Sequence, residues 1–161
     1  LDAFRNIHEE MPDYKLVFYG EGADLNKVKQ MAVEKGLSDF VDFKGAVNNV
    51  VEQIRESRIL VLTSDYEGIP NVVLEAFAAG TPVVATDCSP GGARILIDNE
   101  KNGFIVPIRD TAAIAEKVIQ TINDNALSAQ FIKNSRDKLA LFKYENIANL
   151  WNKYINHIVV L

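Results

Sequence analysis

The chain has 161 residues, a formal net charge of −5 and a sequence pI near 5.1. A chain of this length buries roughly 70% of the surface its unfolded form exposes, enough for one globular domain over residues 1–161; the acidic balance gives no electrostatic reason to expect nucleic acid as a partner. Cys88 is the lone cysteine, which excludes an intrachain disulfide and a cysteine zinc cluster and fits a reducing, cytoplasmic setting.

In chain order, strand-sized β-branched runs alternate with longer amphipathic ones. Helical spacing is expected over Leu1–Met11, followed by a strand at Lys15–Tyr19 and a helix at Ala23–Glu34, where Leu25, Val28, Met31 and Ala32 share a face. Val41–Phe43 reads as the next strand, Val47–Glu56 as a helix and Ile59–Thr63 as a strand. Pro70–Ala79, with proline at the first helical position, leads into the strand Pro82–Ala85. The helix Gly91–Asp98 and the strand Gly103–Val106 close the alternation. Strand and helix in turn imply an α/β fold, a Rossmann-like open parallel sheet with right-handed crossovers and helices on both faces. Thr111–Asn123, Ala126–Leu139 and Tyr144–Ile158 read as three successive helices forming a carboxy-terminal cap. Phe142, Trp151 and Tyr154 are expected to pack within it. No apolar run approaches the length of a bilayer span, and the opening LDAFRNIHEE lacks the order of a signal peptide.

In an open parallel sheet, ligands collect outside the carboxyl ends of the strands. Three loops qualify. In Tyr19-Gly-Glu-Gly-Ala-Asp24, Gly20 and Gly22 permit a tight turn and close approach of backbone to a ligand. The third glycine of a dinucleotide fingerprint is replaced by Leu25, so the loop is either a phosphate approach or a simple strand-to-helix turn, and a dehydrogenase is disfavoured. In the second loop, Pro70 opens a helix, so the N–H groups of Asn71, Val72 and Val73 face the loop and suit an anion. Glu67 lies just outside that helix and Glu75 about one and a half turns inside, with seven residues between them. Two such carboxylates would flank a diphosphate and accept from sugar and ribose hydroxyls; alternatively, both are solvated surface acids. The third loop is Asp87-Cys-Ser-Pro-Gly-Gly-Ala-Arg94, where Gly91 and Gly92 expose N–H groups and Arg94 is either a fixed cation for the ligand or a solvent-facing side chain. His8 and His157 have no ligand-spaced partner, which argues against a metal site or a catalytic histidine.

Ser64–Asp87, SDYEGIPNVVLEAFAAGTPVVATD, resembles the donor-binding segment of the retaining glycosyltransferases of family 4, enzymes of two-domain GT-B architecture. The resemblance covers nearly the whole chain: Leu16–Gly22 matches a strand followed by G-x-G, Val41–Gly45 the next strand and turn, Glu67-x7-Glu75 the E-x7-E motif, and Gly80–Asp87 and Asn102–Pro107 fall in register. It implies a nucleotide diphosphate sugar as donor, a sugar or glycolipid acceptor and no metal. Glu75 would bind ribose hydroxyls, and Glu67 the donor sugar near its reacting carbon. Gly68 and Ile69 amides would meet sugar oxygens, Asn71 and Val72 amides the diphosphate, and Ala46 and Val47 the base. The Gly20–Gly22 loop would approach the phosphates or the acceptor side.

Three departures bear on this expectation. The basic pair that family members usually carry upstream is not in this sequence, nor is the amino-terminal acceptor domain, so the chain is expected to be an inactive carboxy-terminal half. Ile95 stands after Arg94 where many members have glutamate. The resemblance also places a further strand between Lys15–Tyr19 and Ile59–Thr63; without it both would present open edges, which proteins avoid. Upstream residues, a strand donated by another molecule, or a deformed sheet is therefore expected. Two other functions fit less of the pattern: a nucleotide-sugar 2-epimerase of GT-B shape, and a non-catalytic nucleotide-sugar-binding module.

Overall fold

A computed structural model describes residues 1–159. Its elements are α1 (Asp2–Glu10), β1 (Leu16–Tyr19), α2 (Leu25–Glu34), β2 (Val41–Gly45), α3 (Val50–Arg55), β3 (Leu60–Leu62), α4 (Asn71–Ala79), β4 (Val83–Thr86), α5 (Gly92–Leu96) and β5 (Phe104–Val106). Three helices follow: α6 (Thr111–Asn123), α7 (Asn125–Ala140) and α8 (Tyr144–Val159). All five strands expected from the β-branched runs are present, and all neighbouring strands are parallel.

β4 is the organising strand. Its four residues are all buried, as expected of a parallel strand covered on both faces. Side chains alternate along it. Val84 joins Phe104, Val106, Ile114, Val118 and Phe131 on one face, while Val83 and Ala85 join Val73, Ala76, Phe77, Ala93 and Leu96 on the other. α6 therefore covers one face and α4 and α5 the other, with α1 packed beside α6. α4 ends at Gly80, whose φ of 77° is left-handed, and the Thr81 N–H turns back to the Ala76 carbonyl at 2.9 Å. The Thr81 hydroxyl then donates to the Ile54 carbonyl at 2.8 Å, pinning α3 to the start of β4.

The expected single sheet is divided in two. β1 pairs with β2, and β3, β4 and β5 form a separate sheet, with no ladder between β1 and β3. Both open strands line one cavity of about 580 Å³, together with Phe4 and Ile7 of α1 and Val118 and Ile122 of α6. One apolar cluster contacts both sheets, through Leu16 and Phe18 on one side and Val61 and Val84 on the other. The helix layer thus bridges the gap between the two sheets. β1 and β3 are accordingly only half-buried. Amide hydrogen exchange on a monomer of this chain should give weak protection at N–H groups of β1 and β3 that face the cavity and strong protection through β4. Full protection of β1 and β3 would contradict the split.

Two local expectations are corrected. Pro70 is the cap of α4 with extended backbone (φ −73°, ψ 105°), so the helix begins at Asn71. Phe142 does pack beside the α4–α5 cluster, but Trp151 and Tyr154 are each 59% exposed. They share a face of α8 with Leu150, Ile155 and Ile158, all at least half-exposed. The cap therefore consists of α6 and α7, because among the described residues no element covers that face of α8. No helix is long and apolar enough to cross a membrane among the described residues.

Candidate donor-binding site

The loops after the strands meet in two pairs. Gly20, at φ 115°, donates its N–H to the Gly45 carbonyl at 2.7 Å, and Gly45 itself has φ 68°. Only glycine takes such conformations without strain, so the G-x-G turn and the turn carrying Ala46 and Val47 are fastened together. Gly22 and Ala46 are exposed and Val47 is half-buried.

The second pair is formed by the loops after β3 and β4. Tyr66 and Ser89 make a parallel bridge, with the Glu67 N–H donating to the Ser89 carbonyl at 2.9 Å. Gly92 is buried against the same loop. A Cβ at position 92 would overlap the Gly68 carbonyl oxygen and stand 3.2 Å from that of Glu67. The Gly91-Gly92 turn therefore brings two backbones together, which is a packing reason for glycine distinct from the expected display of N–H groups.

Within this frame the Glu67 carboxylate is aimed rather than loose. The Ser64 hydroxyl donates to Glu67 Oε1 at 2.8 Å. The Ser64 carbonyl in turn accepts from the Thr86 hydroxyl at 2.6 Å, and Thr86 is buried at the end of β4. Glu75 lies half-buried on α4, about one turn from its start at Asn71. At the tip of α4 the Val73 N–H is already taken by the Pro70 carbonyl at 3.0 Å. Asn71 and Val72 remain as the amides that position leaves without a carbonyl one turn back. Gly68 is exposed and the Ile69 side chain is 51% exposed beside them.

The arginines of this rim are paired. Arg94 grips Asp87 through both Nε and Nη2, and Arg109 reaches Asp65 Oδ2 at 2.5 Å through Nη2 and 3.1 Å through Nε. Hydrogen bonding to Arg94 holds the Asp87 carboxyl below the usual carboxylate range, and the partner carboxylates raise both guanidinium groups. Arg94 thus enters the site as half of an ion pair, and the positive potential at the α4 tip comes from its peptide dipoles. Arg109 adopts φ 61° without being glycine. Ser64, Thr86, Asp65 and Arg109 were not among the residues singled out from sequence. Their only local signal is a small hydroxyl residue three positions before Glu67, because the remaining links span 22 and 44 positions.

Residues 1–138 match the family model for glycosyl transferases group 1. The chain belongs to that family. It is 31% identical over 144 residues to the poly(ribitol-phosphate) alpha-N-acetylglucosaminyltransferase of Staphylococcus aureus (strain COL), covering 88% of this chain and 29% of that protein. It is 29% identical over 150 residues to the N-acetyl-alpha-D-glucosaminyl L-malate synthase of Bacillus anthracis, covering 92% of this chain and 39% of that one. This glycosyltransferase domain therefore spans less than half the length of either relative. Among solved structures, S. aureus TarM with Fondaparinux, alpha-GlcNAc-glycerol and UDP superposes with a TM-score of 0.84 at 28% identity, over 96% of this chain and 31% of that one. The C-terminal domain of a group 1 glycosyl transferase (LpcC) from Francisella tularensis gives 0.73 at 28%, over 89% and 78%. The group 1 domain has the α/β architecture of GT-B glycosyltransferases.

Proposed function

We propose that this domain is the donor-binding half of a retaining family 4 glycosyltransferase, which moves a sugar from a nucleotide diphosphate sugar to an acceptor hydroxyl with its anomeric configuration kept. The observation that carries the reading is the arrangement at α4: a helix tip with the Asn71 and Val72 amides open, and Glu67 fixed at its mouth by Ser64. Such a tip suits a diphosphate, and a carboxylate beside it suits sugar hydroxyls. Glu75 takes the ribose hydroxyls, the Gly68 and Ile69 amides the sugar oxygens, and the turn at Ala46 and Val47 the base. The Gly20–Gly22 loop approaches the phosphates or the acceptor side, and the Arg94–Asp87 pair borders the site. Dipoles of α4 meet the charge that grows on the departing nucleoside diphosphate, so they stabilise the transition state more than the bound donor. The two glutamates serve binding, and the paired-carboxylate scheme of retaining glycosidases does not apply.

The acceptor side belongs to the rest of the protein. Two surfaces support a larger protein around this domain: the cavity of about 580 Å³ lined by both β1 and β3, and the apolar face of α8 left uncovered among the described residues. An amino-terminal acceptor domain, with the strand completing the sheet, would use both, and the isolated domain is then inactive. The setting is cytoplasmic assembly of a polysaccharide or glycolipid, with any membrane contact made through that other domain.

The test is a thermal-shift panel of nucleoside diphosphates and nucleotide sugars on the full-length protein, followed by product analysis with the best donor. A ligand at one hundred times its Kd should stabilise the fold by about 2.7 kcal/mol. The expected product is a transferred sugar of retained configuration, formed equally well in EDTA. An epimerised sugar nucleotide would replace this reading with a 2-epimerase, and binding without turnover would replace it with a binding module.

A further inference from the structure

We propose that Ser64 is a positioning residue, whose hydroxyl sets the direction in which the Glu67 carboxylate meets the donor sugar; this rests on the role of Glu67 proposed above. Glu67 sits in a loop and carries three rotatable bonds, so a fixed main chain alone does not aim its carboxylate. Its main chain is fixed, since its N–H donates to the Ser89 carbonyl at 2.9 Å. What remains free is the side chain, and Ser64 Oγ takes one of the two carboxylate oxygens at 2.8 Å. The other oxygen, Oε2, keeps its lone pairs for a ligand hydroxyl. The serine spends its only hydroxyl proton on Glu67, so it orients the acid rather than donating to the sugar.

Ser64 is itself held from below. Its carbonyl accepts from Thr86 Oγ1 at 2.6 Å, and that hydroxyl lies 3.4 Å from the Leu62 carbonyl as well. Thr86 is 1% exposed and ends the fully buried strand β4. The path from rigid sheet to carboxylate is therefore two short hydrogen bonds, Thr86 to Ser64 and Ser64 to Glu67. Strand ends of this kind locate a loop group more closely than the loop could. A serine three residues before an acid also stabilises loops with no bearing on chemistry. In that case its removal costs stability and leaves transfer alone, which separates the two roles.

The test uses the full-length enzyme with Ser64→Ala, Ser64→Thr, Glu67→Gln and the Ser64→Ala/Glu67→Gln pair, each checked for folding by its melting temperature. Ser64→Ala should lower kcat/KM for the best donor of the panel roughly 10- to 100-fold, the range for a hydrogen bond to a charged group, with the Kd for UDP within threefold of wild type. Ser64→Thr keeps the hydroxyl and should restore transfer to within a few-fold. The double variant should be no slower than Glu67→Gln alone, because the charge whose direction Ser64 sets is already gone. Wild-type kcat/KM in Ser64→Ala beside an impaired Glu67→Gln overturns the role of Ser64 alone, as does additive loss in the double variant. An unimpaired Glu67→Gln overturns the role of Glu67 and this proposal with it.

Discussion

Glu67→Ala in the full-length protein should lower kcat/KM for sugar transfer by roughly 100- to 1,000-fold, the loss expected when one preorganised polar group at the reacting centre is removed. Stability should change by about 1–2 kcal/mol, because the half-buried side chain gives up one hydrogen bond, that from Ser64. The nucleotide itself should still bind, since the α4 tip and Glu75 are intact. Glu75→Ala provides the contrast. It removes the acceptor proposed for the ribose hydroxyls, so the Kd for UDP should rise about tenfold while bound donor still reacts. The pair is read by isothermal titration with UDP alongside initial rates. Equal loss of UDP affinity in the two variants would mean that Glu67 and Glu75 do not divide sugar from nucleotide.

Of the nine glycines, Gly92 is the one at which an added methyl should be most damaging. Its Cβ overlaps the Gly68 carbonyl oxygen, which is backbone and has no rotamer by which to move away. Either α5 retreats or the loop carrying Glu67 and Gly68 is pushed outward, breaking the Glu67–Ser89 hydrogen bond. Overpacking of this kind costs about 1–3 kcal/mol, and at this chain length each kcal/mol lowers Tm by about 2–4 °C. A fall of roughly 2–12 °C is therefore expected, together with weaker donor binding if the Gly68 amide contacts the sugar as proposed. Gly22→Ala is the control for stability: its Cβ would meet no heavy atom within 4 Å, and its φ is not left-handed, so Tm should move little. Unchanged melting and unchanged donor affinity in Gly92→Ala would mean that the loops after β3 and β4 are not wedged together.

The two variants test features that were unequally visible before folding. Glu67 and Glu75 stand out in the sequence because their spacing is set along one loop and one helix, and Pro70 announces that helix. Gly92 stands out too, but for a reason that folding corrected, since the turn it makes is also a contact with Gly68. Arg94 reads as a cation on the site, and only the fold reveals that Asp87 neutralises it. Ser64 is one residue in a polar loop until Thr86, 22 positions away, is brought under it.

By itself the sequence determined the order of helices and strands, the parallel α/β class and the loop that carries the two acids. These follow from periodicity and from proline and glycine punctuation, which act over a few neighbouring residues. Tertiary structure alone decided that the sheet divides between β1 and β3, that Trp151 and Tyr154 face outward, and that a buried threonine anchors the group aiming Glu67. An apolar stripe or an unpaired strand states that it requires a neighbour; which atoms supply one is fixed by contacts between residues far apart in the chain, and local pattern carries no record of those.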